Sequence, residues 1–242
     1  MSATPPTLIA ANRYGRYCVP SSSAHRPAAQ AVLAGSVWEP QTLELIAANC
    51  GERDVVHAGA YFGDFLPALS AAVAPDTVVW AFEPNPENHV CASQTIALNG
   101  LTNVRLFHAG LGAENASAPF AAVDKEGRAL GGASSFNLAV NPATRLRSDI
   151  RTLDGIVRER AVGVIQLDVE GFEEQALTGA VATIARCLPL ILLEGVPAAG
   201  SPIMERLAAL GYKRAGVVHQ NTVLAQAPAA VRWPAPTAPS SR

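Results

Sequence analysis

The sequence predicts an α/β protein built on a doubly wound, mostly parallel sheet closed by an antiparallel hairpin. Three observations carry this. Between Asp54 and Asn85 a short apolar strand (Val55, Val56) runs into a glycine turn (Gly59, Gly63), a helical segment, and a second apolar strand ending in an acid, Glu83. Residues 77–82 are apolar on both faces, as a central parallel strand is. Near the end of the chain, residues 212–218 and 222–226 flank His219-Gln220-Asn221 as the two arms of a hairpin.

The elements follow in order. Residues 1–24 carry prolines, serines and Arg-Tyr-Gly-Arg-Tyr without a clear period, and are expected to form a partly ordered arm. Helical patterns cover residues 27–35 and 40–49, with Pro40 at a first helical position and Gly51 as a stop. After Gly63, Asp64 suits an N-cap and Pro67 a first turn. Asn85 and Pro86 open a helix that Asn99-Gly100 ends, and residues 103–111 read as the third strand. Residues 114–160 are the variable stretch, with the polar turn Gly131-Gly132-Ala133-Ser134-Ser135-Phe136 and with Thr152 as the cap of a short helix. The fourth strand is expected over residues 162–171, an amphipathic helix over 173–187, a fifth strand over 189–193, and a further helix from Ser201-Pro202 to Gly211. The domain plan is an N-terminal arm and helical cap over 1–52, a ligand-binding domain over 53–226, and a disordered Pro/Ala/Ser tail over 227–242.

Glycine spacing narrows the ligand. With Gly59 as the middle glycine of a dinucleotide motif, the flanking positions are His57 and Phe62, so the pyrophosphate cradle is missing. What remains is G-x-x-x-G without the lysine of a P-loop, followed by an acid placed for ribose hydroxyls. A nucleoside without phosphates fits this pattern, and S-adenosylmethionine is the common one.

Val-Val-His-Ala-Gly-Ala-Tyr-Phe-Gly-Asp, Ala-Phe-Glu-Pro-Asn-Pro, Leu-Asn-Gly-Leu-Thr-Asn-Val, Arg-Thr-Leu-Asp, Ile-Gln-Leu-Asp-Val-Glu-Gly-Phe-Glu and Leu-Pro-Leu-Ile-Leu-Leu-Glu occur in that order over residues 38–226. This set resembles the FkbM family of S-adenosylmethionine-dependent methyltransferases. The resemblance implies a seven-stranded, Rossmann-like class I methyltransferase fold. It also implies O-methylation of a hydroxyl on a sugar, glycan or polyketide-like small molecule. For the cofactor it implies His57, Gly59, Ala60, Tyr61 and Gly63 in the turn, Glu83, Pro84 and Asn85 after the second strand, and His108, Ala109 and Gly110 near the adenine. Trp38 and Glu39 stand where the family often has an aromatic–acid pair, although burial statistics favour plain packing for Trp38. The chain departs from the family at His57, usually an acid, and at Gln166, usually a lysine.

Gln166, Asp168 and Glu170 alternate with Ile165, Leu167 and Val169, which puts three polar groups on one strand face. Acids on a covered strand are tolerated where it emerges at its carboxyl end, the ligand-binding rim of this architecture. Asp168 is the expected general base and Glu170 its companion. Alternatively, both hold a divalent cation such as Mg²⁺, which is possible but not expected. Ser134 and Ser135 stand equally as substrate-binding hydroxyls or as local turn caps. A neutral His57 can accept from the cofactor's ammonium, so affinity is expected to fall below about pH 6.5. Two rival readings are a cofactor-binding module with impaired catalysis, motivated by His57 and Gln166, and a nicotinamide oxidoreductase, which shares Glu83 but fails on the glycines.

Composition bounds the rest. A chain of 242 residues, 49% hydrophobic, suffices for one α/β domain with a sizeable core. A net charge of -2 gives no footprint for nucleic acid. No apolar run reaches the ~18 residues of a membrane span. The first residues lack the basic and apolar regions of a signal peptide, and four scattered cysteines read as reduced thiols of a cytoplasmic protein. No His/Cys cluster suits zinc, and a homo-oligomer is left open.

Overall fold

The computed structural model describes residues 6–137 and 146–235; parts of the expected arm, variable stretch and tail (1–5, 138–145 and 236–242) lie outside the described residues. The N-terminal segment is more regular than its sequence predicts. Strand β1 (Thr7–Asn12) pairs antiparallel with β2 (Gly15–Pro20). Tyr17, Cys18 and Val19 are all fully buried, so the strand shows no apolar–polar alternation and its period is invisible in sequence. Helices α1 (Pro27–Leu33) and α2 (Pro40–Asn49) follow, each opening on proline as expected.

The main sheet begins with β3 (Asp54–Ala58), followed by α3 (Leu66–Ala72), β4 (Val79–Phe82), α4 (Pro86–Asn99) and β5 (Val104–Phe107). Asn85 caps α4 by accepting from the amides of Glu87 and Asn88, and Gly100 ends it in the left-handed region. Asp64 is not the cap of α3: Phe65 holds that position without a side-chain bond, and the Asp64 carboxyl, which accepts from its own amide and that of Phe65, lines a cavity. The expected third strand breaks after Phe107, and β6 (Gly110–Leu111) joins β7 (Ala116–Phe120) and β8 (Leu146–Arg151) in a separate small sheet with order β6-β8-β7.

Helix α5 (Leu153–Val157), capped by Thr152, leads into β9 (Val162–Leu167). The expected long helix is two, α6 (Glu173–Thr178) and α7 (Val181–Cys187), because the chain turns at Gly179, whose missing Cβ would lie 1.9 Å from the carbonyl oxygen of Gly112. Strand β10 (Leu190–Leu193), α8 (Pro202–Ala209) and the hairpin β11 (Lys213–Val218) and β12 (Asn221–Ala225) complete the domain. Sheet order is β5-β4-β3-β9-β10-β12-β11, seven strands with only β12 antiparallel to the rest. This is the doubly wound, class I methyltransferase arrangement the sequence predicts.

Alternate residues of β3 feed two cores. Val55 packs with α2 and α3 (Ile46, Leu66, Leu69), and Val56 with α5 to α8 (Leu153, Leu177, Ile184, Leu207). The tail is anchored through residue 235. Asn49 exchanges two hydrogen bonds with the backbone of Arg232, and Trp233 fills the space over Gly216.

One buried hydroxyl ties the N-terminal hairpin to the glycine turn. Thr95 Oγ1 accepts from the Cys18 amide at 3.0 Å and donates to the Phe62 carbonyl at 2.8 Å. Thr95→Val preserves shape and strands both backbone groups. It should lower unfolding free energy in urea by about 1–3 kcal/mol. An unchanged midpoint would mean that the hairpin adds nothing to the turn.

Candidate active site

Two adjoining cavities open at the carboxyl ends of β3, β4, β9 and β10. They share Gly59, Gly132 and Asp168 as lining. The turn after β3 is fixed from two sides. The amides of Gly59 and Ala60 both donate to the Phe82 carbonyl at 3.0 Å, and the Tyr61 amide donates to Glu83 Oε2 at 2.7 Å. Glu83 Oε1 accepts from the Asn85 amide at 2.8 Å, so this carboxyl pins the ends of two successive loops. Burial pushes the Glu83 carboxyl up to about 8 against the pull of the Asn85 and Tyr61 amides and of Asn88.

The narrower cavity is a slot between apolar walls. Phe82 and Leu111 form one side, and Phe120, Phe136 and Phe172 line it further, with Glu83 and Pro84 at one end. Phe136 packs on Phe120 and Phe172 with ring centroids 4.8 and 5.2 Å apart, over Gly110, which a side chain would displace. The slot encloses about 20 Å³, room for roughly one water. Apolar walls with the Glu83 carboxyl at one end and Gly59 at the turn are of a chemistry that fits the nucleoside of S-adenosylmethionine.

The wider cavity, about 170 Å³, is acidic. Glu39, Asp64, Asp168, Glu170 and Glu194 line it, with Arg26 the single cation among the described lining residues. Glu39 has a left-handed backbone (φ 44°), and its carboxylate accepts from Thr42 Oγ1 at 2.8 Å and Asn221 Nδ2 at 3.0 Å. Strand β9 ends at Leu167, so Asp168 and Glu170 lie beyond it rather than on one strand face as expected. Glu170 reaches the cavity through a left-handed backbone (φ 52°) braced by Ser135 Oγ, which donates to its carbonyl at 2.8 Å. Burial, contact with the Glu194 carboxyl and repulsion from Glu194 and Glu170 push Asp168 well above the usual carboxylate range. Burial first and then repulsion from Glu194 and Glu173 push Glu170 up to about 7, and burial does the same to Asp64.

The two departures from the family pattern meet. His57 and Gln166 are register partners across β3 and β9, and His57 Nδ1 is hydrogen-bonded to Gln166 Oε1. A neutral pair therefore stands where the resemblance implies an acid and a lysine, and the exchange at one position is matched at the other. The ring stacks on Phe65 with centroids 5.1 Å apart. Burial lowers its pKa to about 4, below the pH 6.5 threshold expected from an unperturbed histidine.

Of the residues singled out in sequence, His57, Gly59, Tyr61, Glu83, Pro84, Gly110, Ser134, Asp168 and Glu170 line one cavity or both. Ala60, Gly63, Asn85, Ala109 and Ser135 line neither cavity, although Ser135 braces Glu170. His108 is exposed and stacked on His89, outside both cavities. The Ser134 hydroxyl donates to the Gly131 carbonyl at 2.7 Å within its own turn and accepts from Asn85 Nδ2 at 3.0 Å at the start of α4. Arg26, Asp64, Glu194 and the aromatic wall were not legible as site residues; only Glu194, an acid ending an apolar strand as Glu83 does, carried a usable signal.

The sequence profile described as the methyltransferase FkbM domain matches residues 57–214. No curated protein matches the chain. Among solved structures, methyltransferase FkbM from Methylobacillus flagellatus is 19% identical with a TM-score of 0.45, the match covering 72% of this chain and 43% of that one. A SAM-dependent methyltransferase from Aquifex aeolicus is 14% identical with a TM-score of 0.42, over 83% and 92% of the two chains. The Pyrococcus abyssi tRNA (uracil-54, C5)-methyltransferase, in complex with S-adenosyl-L-homocysteine, is 12% identical with a TM-score of 0.44, over 90% and 43%. This chain thus spans less than half the length of the Methylobacillus protein. With the profile covering well over half of the sequence, the chain belongs to the FkbM family of S-adenosylmethionine-dependent methyltransferases.

Proposed function

We propose that the chain methylates a hydroxyl oxygen of a sugar, glycan or polyketide-like small molecule. The observation that carries this reading is the contiguity of the two cavities: the nucleoside slot and the acid-lined pocket share Gly59, Gly132 and Asp168. The cofactor, when bound, supplies a methyl group on a sulfonium. The chain's own residues do the rest. Glu83 and the apolar wall orient the nucleoside, with Gly59 and Gly110 among the lining of the slot. The wider cavity holds the acceptor beside Asp168, and alignment supplies most of the acceleration.

An alcohol is a weak nucleophile near neutral pH, so its proton needs a receiver. Asp168 suits that role because burial and the neighbouring Glu194 raise its proton affinity well above that of an ordinary carboxylate. Glu170, fixed by Ser135, orients the acceptor.

Two measurements check this reading. S-adenosylhomocysteine should bind and raise the melting temperature. Glu83→Gln, which turns an amide N–H toward a backbone donor, should weaken that binding about tenfold or more. Calorimetry that finds NAD binding and none for the nucleoside would sink the proposal. Asp168→Asn should then cut S-adenosylhomocysteine release from a panel of hydroxylated acceptors about a hundredfold or more, with cofactor affinity nearly unchanged. Full turnover in that variant removes the base.

A further inference from the structure

Two adjacent parallel strands end side by side in acids. Leu167 of β9 and Leu193 of β10 are register partners, and Asp168 and Glu194 are the next residues of each strand. The Glu194 amide donates to the Leu167 carbonyl at 3.1 Å, which keeps the two carboxyls level. Glu170 joins them from the left-handed turn, and ligand oxygens of all three lie within 4.8 Å of one another. Among the described residues, none of the three takes part in an ion pair.

The opposite rim of the sheet shows how this protein treats a buried acid that is structural. Asp54 is buried at the start of β3 and is compensated. It accepts from the Val78 amide at 2.9 Å, Trp80 Nε1 at 2.8 Å and Arg160 Nη2 at 2.7 Å. Burial alone would raise that carboxyl, but Arg160, Trp80 and the Val78 amide together hold it below its ordinary range. Among the described residues, Asp168 is hydrogen-bonded only to the Glu194 carboxyl and Glu170 feels only the weaker pull of Arg26, so a bound cation would relieve the repulsion among the three.

An independent observation points the same way. His57 lines the same cavity, is only 3% exposed, and its Nε2 has no hydrogen-bond partner. With Nδ1–H donated to Gln166, Nε2 is a buried acceptor awaiting a donor. A water on a bound cation is such a donor, and Gln166 sets the tautomer that would receive it.

We propose that Asp168, Glu170 and Glu194 form a binding site for one hard divalent cation of the Mg²⁺ or Mn²⁺ type. Three carboxylates without a thiol select a hard ion, and octahedral coordination leaves about three positions for water or for the acceptor's oxygens. Acceptors with two neighbouring oxygens, such as a vicinal diol, fill two of those positions at once. That last role rests on the O-methylation reading above; the cation site itself does not, and with the cation bound Asp168 serves as a ligand in place of the base role given it there.

The test uses full-length protein stripped with EDTA, desalted, and titrated with Mn²⁺ alone while paramagnetic resonance reads the free ion. The expected result is a single class of site that Mg²⁺ competes for. Glu170→Gln and Glu194→Gln should each weaken it about tenfold or more, with urea unfolding to verify that both variants fold. Wild type retaining no more Mn²⁺ than E170Q/E194Q overturns the proposal, as does equal affinity in wild type and both single variants. Calorimetry with S-adenosylhomocysteine on the same samples separates the two ideas. Nucleoside binding without Mn²⁺ binding removes the cation and leaves the methyltransferase reading, whereas Mn²⁺ binding without nucleoside does the reverse.

Discussion

A Cβ at residue 59 would lie 1.9 Å from the carbonyl oxygen of Asp168. That close approach is the constraint on which the site depends. Gly59 turns with φ 89°, and the chain passes from β3 across the end of β9 with no room for a side chain between them. The approach sets the turn after β3 directly against the backbone of Asp168, one of the cavity's acids. The Asp168 amide donates to the Ala58 carbonyl at 3.0 Å and extends the β3–β9 ladder to its last possible rung. The two cavities share their wall because these strands are neighbours in the sheet.

Electrostatics divides the molecule along the strand direction. At the amino ends of the strands the buried acid Asp54 has a guanidinium and two N–H donors. At the carboxyl ends five carboxylates line one cavity with Arg26 alone among the described lining residues to oppose them. Left-handed backbones at Glu39, Tyr61 and Glu170, all lining that cavity, are conformations that non-glycine residues adopt at some cost. Charge and backbone strain are therefore concentrated at one rim, where the sheet binds ligands in this architecture.

Much of this was legible in the sequence because it is local. The strand–glycine turn–helix–acid run from Asp54 to Asn85, the Asn85 and Gly100 caps, and the closing hairpin each rest on a few neighbouring residues. What escaped depends on distant partners. The β1–β2 hairpin buries four consecutive residues, Tyr17 to Pro20, in a strand that packs on α4, so it shows no period of two. Asp64 has the chemistry of a cap and is turned into a cavity, and β9 stops before the acids that continue its alternation. His57 and Gln166, which look like two separate losses along the sequence, are one hydrogen-bonded pair across two strands. The aromatic wall of the slot comes from β4, β7 and the turns around Phe136 and Phe172, a grouping no linear spacing reveals.

The central claim is that a nucleoside lies between the Gly59 turn, Glu83 and the aromatic wall, with the acceptor pocket next to it. Amide hydrogen exchange with and without S-adenosylhomocysteine tests that placement most directly. The account predicts slowed exchange confined to the amides around Gly59–Gly63, Glu83–Asn85, Gly110–Leu111, Gly131–Phe136 and Asp168–Phe172. Unchanged exchange in these segments, or protection centred on the groove at the amino ends of the strands near Asn49 and Arg232, would contradict it.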